Sequence, residues 1–205
     1  MQEKTCAVVG AGDFFETTSD FEKTDVVIAA DGGYESLKRI HVQPDLLVGD
    51  FDSLTVPPSI ENVLRLPKEK DDTDMLACVK EGMKQGCRFF YLYGGTGGRF
   101  DHTIANVQLL SFLAKQGCQG ILVSEKTYST VIVDGSIRIQ KNKDGYVSVF
   151  CLSDKSTGVT LNGLKYPLTE ADLTNDFPLG VSNEFVENEA VITVENGMLM
   201  IVWPR

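Results

Sequence analysis

Five short apolar runs recur in the first 125 residues of the chain, and amphipathic stretches lie between them. The runs do not alternate between apolar and polar residues, which indicates strands buried on both faces, as in a parallel sheet. They are Thr5–Val9, Val26–Ala30, Leu46–Val48, Phe89–Tyr93 and Gly120–Val123. Apolar residues at helical spacing begin at Met75 and again at Ile104, and each stripe stops near a glycine. This alternation predicts a three-layer α/β domain with a mainly parallel sheet.

The pattern changes near residue 125, where short β-type runs replace the alternation of strand and helix. These runs are Thr130–Val133, Ile137–Ile139, Tyr146–Phe150, Val191–Val194 and Met198–Val202. Asn196-Gly197 stands between the last two runs and predicts the tight turn of a hairpin. We therefore expect an α/β domain over residues 1–125, followed by an antiparallel β-sandwich domain over residues 126–205.

The composition excludes several classes of partner. The 205 residues carry a net charge of −10, which argues against binding to nucleic acid or to an anionic membrane surface. The N-terminus lacks a signal-peptide pattern, and no apolar run approaches the ~20 residues that cross a bilayer. Five scattered cysteines without a CxxC pair predict no disulfide framework, no zinc site and a cytoplasmic location.

Two acidic clusters are the densest chemistry in the chain. Asp50 and Asp52 follow the third apolar run, and in an extended segment their side chains point to the same side. A second cluster, Asp71–Asp74, precedes a predicted helix that Asp72 or Thr73 would cap. A solvated turn and a helix cap are the plain structural interpretations. Carboxylates this close also suit Mg²⁺, which usually contacts substrate phosphates as well, so the sequence favours metal-assisted phosphoryl chemistry.

Glycine-rich segments follow the predicted strands, at the end of the sheet where α/β proteins gather their ligands. Gly94–Arg99 leads from a strand into a helix, and glycines there let backbone N–H groups approach phosphate oxygens. Arg99 would add a bidentate contact, with Asp101 and His102 directly after it. The segment lacks the Gly-Lys-Ser/Thr of a P-loop, and Gly10-Ala11-Gly12 lacks the third glycine of a dinucleotide fingerprint.

Five segments, in this order and spacing, resemble the thiamine pyrophosphokinase family. They are Ala30–Gly33, Gly49–Ser53, Asp71–Asp74, Gly94–His102, and a C-terminal signature in which Gly163–Leu168 is followed by Gly180–Phe185. The match spans almost the whole chain. Any one of these motifs is weak evidence, whereas five in register are specific.

The resemblance implies an α/β catalytic domain that binds ATP and Mg²⁺, followed by a β-sandwich that binds thiamine. The implied reaction moves the β,γ-pyrophosphoryl group of ATP to the hydroxyethyl oxygen of thiamine and releases AMP. The resemblance also implies a homodimer, in which each active site lies where the α/β domain of one subunit meets the β domain of the other.

The resemblance also implies a role for each matching residue. Catalysis and metal binding would fall to Asp50, Asp52, Asp71 and Asp74. The nucleotide would lie against Asp31, Gly32, Thr73, Gly94, Gly95, Gly98, Arg99, Asp101 and His102. The substrate residues would be Lys70, Ser182, Asn183 and Phe185. Eukaryotic members tend to carry a tryptophan in the thiamine-binding segment, where this chain would use Phe185 to stack on thiamine. Lys70 stands where some relatives have glutamine, and its charge would neutralise phosphate or pair with a neighbouring aspartate.

Two other functions compete with this interpretation. A haloacid-dehalogenase-like phosphatase would use Asp50 as its nucleophile, since an apolar strand followed by Asp-x-Asp is typical of that class. Gly49 interrupts the apolar run, however, and the motif lies far inside the chain. A non-catalytic nucleotide-binding module would hold ATP and Mg²⁺ without turnover.

Overall fold

The computed structural model describes residues 3–51, 62–67, 69 and 71–205. The chain divides into two compact units. The first unit contains Met1–Leu109 and Gly117–Glu125, and the second contains Leu110–Gln116 and Lys126–Arg205. No helix within the described ranges is both long and apolar enough to span a membrane.

The first unit is built on a parallel sheet. Its strands are β1 (Lys4–Val9), β2 (Val26–Ala30), β3 (Leu46–Gly49), β4 (Val63–Arg65), β5 (Cys87–Tyr93) and β6 (Gln119–Val123). Their order is β4-β3-β2-β1-β5-β6, and every neighbouring pair is parallel. All of β2 and the last four residues of β1 are buried, as the unbroken apolar runs predict.

Three α-helices connect these strands. They are α1 (Gly33–Arg39), α2 (Asp74–Lys84) and α3 (Phe100–Lys115). Helix α1 contacts β1 and β2, and α2 contacts β1, β2, β3 and β5. Thr73 caps α2, since its hydroxyl oxygen accepts a hydrogen bond of 3.2 Å from the backbone N–H of Leu76. The α/β class is confirmed, whereas α1 and the three-residue strand β4 were not predicted.

Backbone contacts draw the carboxyl ends of three strands together. A Cβ on Gly33 would stand 1.9 Å from the carbonyl oxygen of Val9, so only glycine lets α1 begin above β1. The N–H of Asp31 donates to the carbonyl of Val48 at 2.8 Å, and Gly49 lies against the Cβ of Asp31. Gly49 is the last residue of β3 rather than a break in it. Asp50 is therefore the first residue after the strand.

The strands of the second unit form two antiparallel groups, which belong to different sheets. Its strands are β7 (Thr127–Val133), β8 (Ser136–Gln140), β9 (Tyr146–Cys151), β10 (Lys155–Asn162), β11 (Leu168–Thr174), β12 (Gly180–Glu184), β13 (Glu189–Thr193) and β14 (Met198–Pro204). One group is ordered β12-β9-β14-β7, and the other β11-β10-β13-β8. Alternate residues such as Val147, Val149, Leu199 and Ile201 are fully buried or nearly so. The predicted antiparallel β-sandwich is confirmed, with β10, β11 and β12 added to the predicted strands.

The predicted hairpin at Asn196-Gly197 is wrong. Strand β13 pairs with β8 and β10, while β14 pairs with β7 and β9, so the turn joins two different sheets. The carbonyl of Thr157 accepts the N–H of Asn196 at 3.3 Å, and Asp134 Oδ1 accepts the N–H of Gly197 at 2.8 Å. These contacts hold the turn against other strands. Turn chemistry alone therefore signals a reversal of the chain but not its pairing partner.

All five cysteines are buried and free of disulfides, as their spacing predicts. The hydrogen bond between Cys6 and Cys87, together with burial, raises the pKa of the Cys6 thiol far above its usual range. A thiol kept neutral in this way is a packing group and not a nucleophile. The same hydrogen bond lowers the pKa of the Cys87 thiol, which is buried against Cys6.

Candidate functional site

Two glycine loops of the first unit enclose a cavity of about 250 Å³. One loop is Gly10–Gly12, which follows β1, and the other is Gly94–Arg99, which follows β5. The remaining lining residues are Met75 of α2 and His102 and Asn106 of α3. The predicted nucleotide residues Gly94, Gly95, Gly98, Arg99 and His102 therefore share one cavity. Asp31, Gly32, Thr73 and Asp101 are not among the described residues that line it.

Hydrogen bonds tie the two loops together along their backbones. The N–H groups of Gly10, Gly12 and Asp13 donate to the carbonyls of Tyr93, Gly94 and Thr96, each at 2.8 Å. A Cβ on Gly12 would stand 2.4 Å from the Thr96 oxygen, and Gly94 has a φ of +60°. Both positions therefore require glycine. The Gly10–Gly12 segment fails as a dinucleotide fingerprint because its glycines serve this close approach of two backbones.

Asn106 is a site residue that the sequence prediction missed. It is 5% exposed, and its Nδ2 donates to the carbonyl oxygen of Gly95 at 2.7 Å. It lies at helical spacing before the buried residues Leu109, Leu110 and Leu113, whereas Ile104, which was predicted on the apolar stripe, is 46% exposed. A polar residue on an otherwise apolar stripe was the available signal, because buried polar groups need a partner.

Arg99 and Asp101 form an ion pair at the start of α3. The Arg99 guanidinium donates from Nε to Oδ1 at 3.1 Å and from Nη2 to Oδ2 at 2.5 Å. These hydrogen bonds hold the pKa of Asp101 below its ordinary value and raise that of Arg99. Both side chains stay charged and exposed, and in this structure the guanidinium of Arg99 binds Asp101. A phosphate group would have to compete with this carboxylate.

The predicted acidic residues divide into structural and candidate metal ligands. Asp72 accepts two hydrogen bonds from Lys80 Nζ, at 2.8 and 2.7 Å, so its charge is compensated by α2 itself. Asp71 is exposed in the bend before α2, and Asp74 is the first residue of that helix. Asp52 lies outside the described residues. Among the described residues, no three His, Cys, Asp or Glu side chains are grouped closely enough to hold a metal.

The predicted thiamine residues occupy β12 and its C-terminal end in the second unit. Asn183 is 3% exposed, and its amide bonds the backbone of Tyr166 on both sides. Oδ1 accepts from the Tyr166 N–H at 2.9 Å, and Nδ2 donates to the Tyr166 carbonyl at 2.8 Å. Phe185 is 9% exposed, while Ser182 is exposed with a φ of +60°. Lys70 lies outside the described residues.

A glycine-lined cavity at the carboxyl ends of parallel strands defines the first unit as an α/β ligand-binding domain, and a β-sandwich unit follows it. The family model for the thiamin pyrophosphokinase catalytic domain matches residues 18–122. The model for the thiamin pyrophosphokinase vitamin B1 binding domain matches residues 135–199. The chain belongs to the thiamine pyrophosphokinase family.

Individual relatives agree with this assignment. Thiamine pyrophosphokinase of Bacillus subtilis is 27% identical over 182 residues, which cover 85% of each chain. Its crystal structure superposes with a TM-score of 0.89 and covers 97% of this chain and 98% of that one. Thiamin pyrophosphokinase of Geobacillus thermodenitrificans, 28% identical, has a TM-score of 0.87 with 98% and 97% coverage. Neither the phosphatase nor the binding-module interpretation is favoured by these similarities.

Proposed function

We propose that this chain transfers the pyrophosphoryl group of ATP to the hydroxyl of thiamine, giving thiamine diphosphate and AMP. The observation that carries the proposal is the glycine-lined cavity at the ends of β1 and β5 in a chain of this family. In such a reaction, positioning and electrostatics do most of the work. The residues of the cavity are therefore assigned by what they can hold in place.

The loop Gly94–Arg99 would bind the phosphate chain of ATP. Within the described part of the chain, the N–H groups of Gly95, Gly97 and Gly98 donate to no backbone carbonyl. Gly97 and Gly98 have φ values of +78° and +61°, and successive N–H groups in such conformations form anion-binding concavities. Glycines let the backbone approach phosphate oxygens closely. The Asp13 carboxylate lies beside Gly97, where a Cβ would stand 2.1 Å from its Oδ2. His102, which also lines the cavity, belongs to the same nucleotide site.

Arg99 would turn from Asp101 to the transferred phosphates. Its side chain is 73% exposed, so little packing opposes the movement. A planar fork of donors suits a phosphate as well as it suits a carboxylate. Asp101 would then keep Arg99 oriented before ATP arrives. Asp31 and Gly32, at the end of β2, and Thr73, which caps α2, complete the proposed nucleotide site.

Asp50, Asp52, Asp71 and Asp74 would hold Mg²⁺. Asp50 follows β3 and Asp74 opens α2, two elements of the first unit that contact each other. Carboxylate oxygens are the donors that this ion prefers, and the compensation of Asp72 by Lys80 supports its omission from the set. Bound Mg²⁺ would supply charge neutralisation on the phosphates. Lys70 would add a further positive charge next to Asp71.

Thiamine would bind to the second unit, which matches the vitamin B1 binding domain. Ser182 is the predicted residue whose exposure suits direct contact. Asn183 would act by holding the Gly163–Leu168 segment through Tyr166. Phe185 is 9% exposed, so little of this residue is available for its proposed stacking on thiamine.

We also propose a cytoplasmic homodimer in which each active site combines both kinds of domain. Phe177, Leu179 and Val181, directly before the predicted thiamine segment, are 64%, 50% and 41% exposed. Such exposed apolar residues support a subunit contact near the substrate site. The buried cysteines, which form no disulfide, support a reducing compartment.

Incubation with ATP, Mg²⁺ and thiamine tests the reaction. We expect AMP and thiamine diphosphate in equal amounts, with no product when Mg²⁺ is chelated. ADP with thiamine monophosphate would instead identify a simple kinase, and no product would identify a binding module. Phosphate release together with a trapped aspartyl-phosphate at Asp50 would identify the phosphatase. Sedimentation of the same preparation tests the dimer.

A further inference from the structure

We propose that Gly12, Asp13 and Asn106 form a carbonyl clamp, that is, three N–H donors that hold the carbonyl oxygens of Gly94–Thr96. The clamp directs the N–H groups of the same peptides to the other side, which makes the glycine loop an anion site. The identity of the anion, the phosphate chain of ATP, rests on the proposed function. Asn106 is in this view a positioning residue, since its side chain acts through the Gly95 peptide. The family match begins only at residue 18, after Gly12 and Asp13.

The clamp engages three consecutive carbonyl oxygens. Gly94 accepts from the N–H of Gly12 at 2.8 Å, and Thr96 accepts from the N–H of Asp13 at 2.8 Å. Between them, Gly95 accepts from Asn106 Nδ2 at 2.7 Å. Two donors come from the loop after β1 and the third from the buried face of α3. The chain thus uses every acceptor of this stretch for its own structure.

Clamped carbonyls fix the opposite sides of the same peptide groups. In a planar trans peptide, the N–H of the next residue points away from the carbonyl oxygen. The clamp therefore directs the N–H groups of Gly95, Thr96 and Gly97 away from Gly12, Asn106 and Asp13. Those N–H groups have no backbone acceptor within the described residues. The stretch is left with backbone donors that its own structure does not use, and two of these, on Gly95 and Gly97, belong to residues that line the cavity.

The clamp is needed because glycine peptides rotate easily. Gly94 and Gly95 tolerate conformations that other residues do not, so an unclamped peptide between Gly95 and Thr96 can turn over. Its carbonyl oxygen would then replace an N–H on the ligand side and repel phosphate. Asn106 blocks this rotation from a buried position. The expected consequence of losing it is weaker ATP binding rather than a slower chemical step.

The test is Asn106→Leu, which keeps the size of the side chain and removes the donor. Calorimetric titration with ATP and Mg²⁺ should show roughly tenfold weaker binding, in line with the loss of one buried hydrogen bond. In kinetic assays the KM for ATP should rise by the same factor, while the KM for thiamine and kcat stay close to the wild-type values. Loss of folded protein alone would lower the apparent kcat and leave both KM values unchanged.

A second variant disturbs the clamp at the loop after β1. Gly12→Ala would place a Cβ 2.4 Å from the Thr96 oxygen and 2.6 Å from the Gly94 oxygen, and should also weaken ATP binding. Gly135→Ala, whose Cβ would meet only the Val133 oxygen at 3.4 Å, is the matched control and should bind ATP normally. This variant decides the question if Asn106→Leu does not fold.

Unchanged ATP affinity in folded Asn106→Leu or Gly12→Ala would overturn the clamp, as would an equal rise in both KM values. The titration also separates this inference from the proposed reaction. Wild-type protein that binds ATP without making thiamine diphosphate would overturn the reaction, while the variants still decide the clamp by affinity. Wild-type protein that binds no ATP would overturn both.

Discussion

The Gly94–Arg99 loop of the first unit and the Gly163–Leu168 segment of the second are each anchored by a buried asparagine. Asn106 is 5% exposed and Asn183 is 3% exposed, and each amide bonds a backbone group of its segment. The first segment presents bare backbone, whereas the second holds Tyr166 with its side chain 59% exposed. The same anchoring device therefore holds the proposed anion-binding loop in one unit and a segment with an exposed tyrosine in the other.

The largest effect should come from the proposed metal ligands, which all belong to the first unit. Asp74→Asn should lower turnover by at least about 100-fold while the protein stays folded, because an amide oxygen replaces a charged ligand. Steady-state assays with added Mg²⁺ measure this. Asp72→Asn is the matched control, since it removes only the half-exposed pair with Lys80 and should cost about 1 kcal/mol of stability at most. Equal activity of the two variants would remove Asp74 from the metal site.

Arg99→Ala should act on ATP and leave thiamine binding unchanged. The loss of charged, bidentate hydrogen bonds predicts a KM for ATP that is roughly 10- to 100-fold higher. Arg99→Lys should recover only part of the loss, because an ammonium lacks the planar fork. If the KM for thiamine changed by the same factor, the Gly94–Arg99 loop and the Gly163–Leu168 segment would not bind separate substrates.

The fold was largely readable from the sequence because burial leaves a local pattern. Unbroken apolar runs such as Val26–Ala30 identify buried parallel strands without any knowledge of their neighbours. Strand β4 was missed because Val63–Arg65 is short and its pattern is weak. The hairpin predicted at Asn196-Gly197 was wrong because the pairing of a strand depends on distant residues. Here Thr157 and Asp134 bind the turn.

The site was readable where its residues stand in one segment. The cavity brings together Gly94, Gly95, Gly98, Arg99 and His102, all predicted from the one glycine-rich motif. Gly12 was missed because its partner is the carbonyl of Gly94, far away in the sequence. Asn106 was missed because its partner, the carbonyl of Gly95, is a backbone group that residue types do not reveal. Composition and spacing report the side chains that a chain carries. They do not report which backbone oxygens those side chains satisfy.

The asparagine that anchors the Gly163–Leu168 segment can be tested in the same way as Asn106. Asn183→Leu should raise the KM for thiamine roughly tenfold, because both hydrogen bonds to the Tyr166 backbone are lost. The KM for ATP should stay at the wild-type value, the reverse of the result expected for Asn106→Leu. Kinetics of the two variants with each substrate varied in turn provide the measurement. If both variants change the same constant, the two anchors do not serve separate substrates.

The smallest effect concerns the exposed ion pair at each segment, Arg99–Asp101 and Lys165–Glu184. The pKa of Asp101 is lowered by its hydrogen bonds with Arg99. This pair therefore stabilises the fold at pH values above the ordinary carboxyl pKa, and the stabilisation is lost as the pH falls through the lowered pKa. The pKa of Lys165 is raised by its hydrogen bond with Glu184, so that pair is complete below the ordinary lysine pKa and is lost as the pH rises through the raised one.

Acid should therefore loosen the first segment and alkali the second, both only slightly because the pairs are exposed to solvent. Carbon-13 chemical shifts of the Asp101 carboxyl and the Lys165 Cε, followed against pH, report each group separately. Arg99→Ala should return the Asp101 titration to its ordinary pH range and leave that of Lys165 unaffected. Glu184→Gln should return the Lys165 titration to its ordinary range and leave that of Asp101 unaffected. An Asp101 titration that Arg99→Ala leaves unmoved would show that another group holds this carboxylate, and the guanidinium would then be available to phosphate without competition.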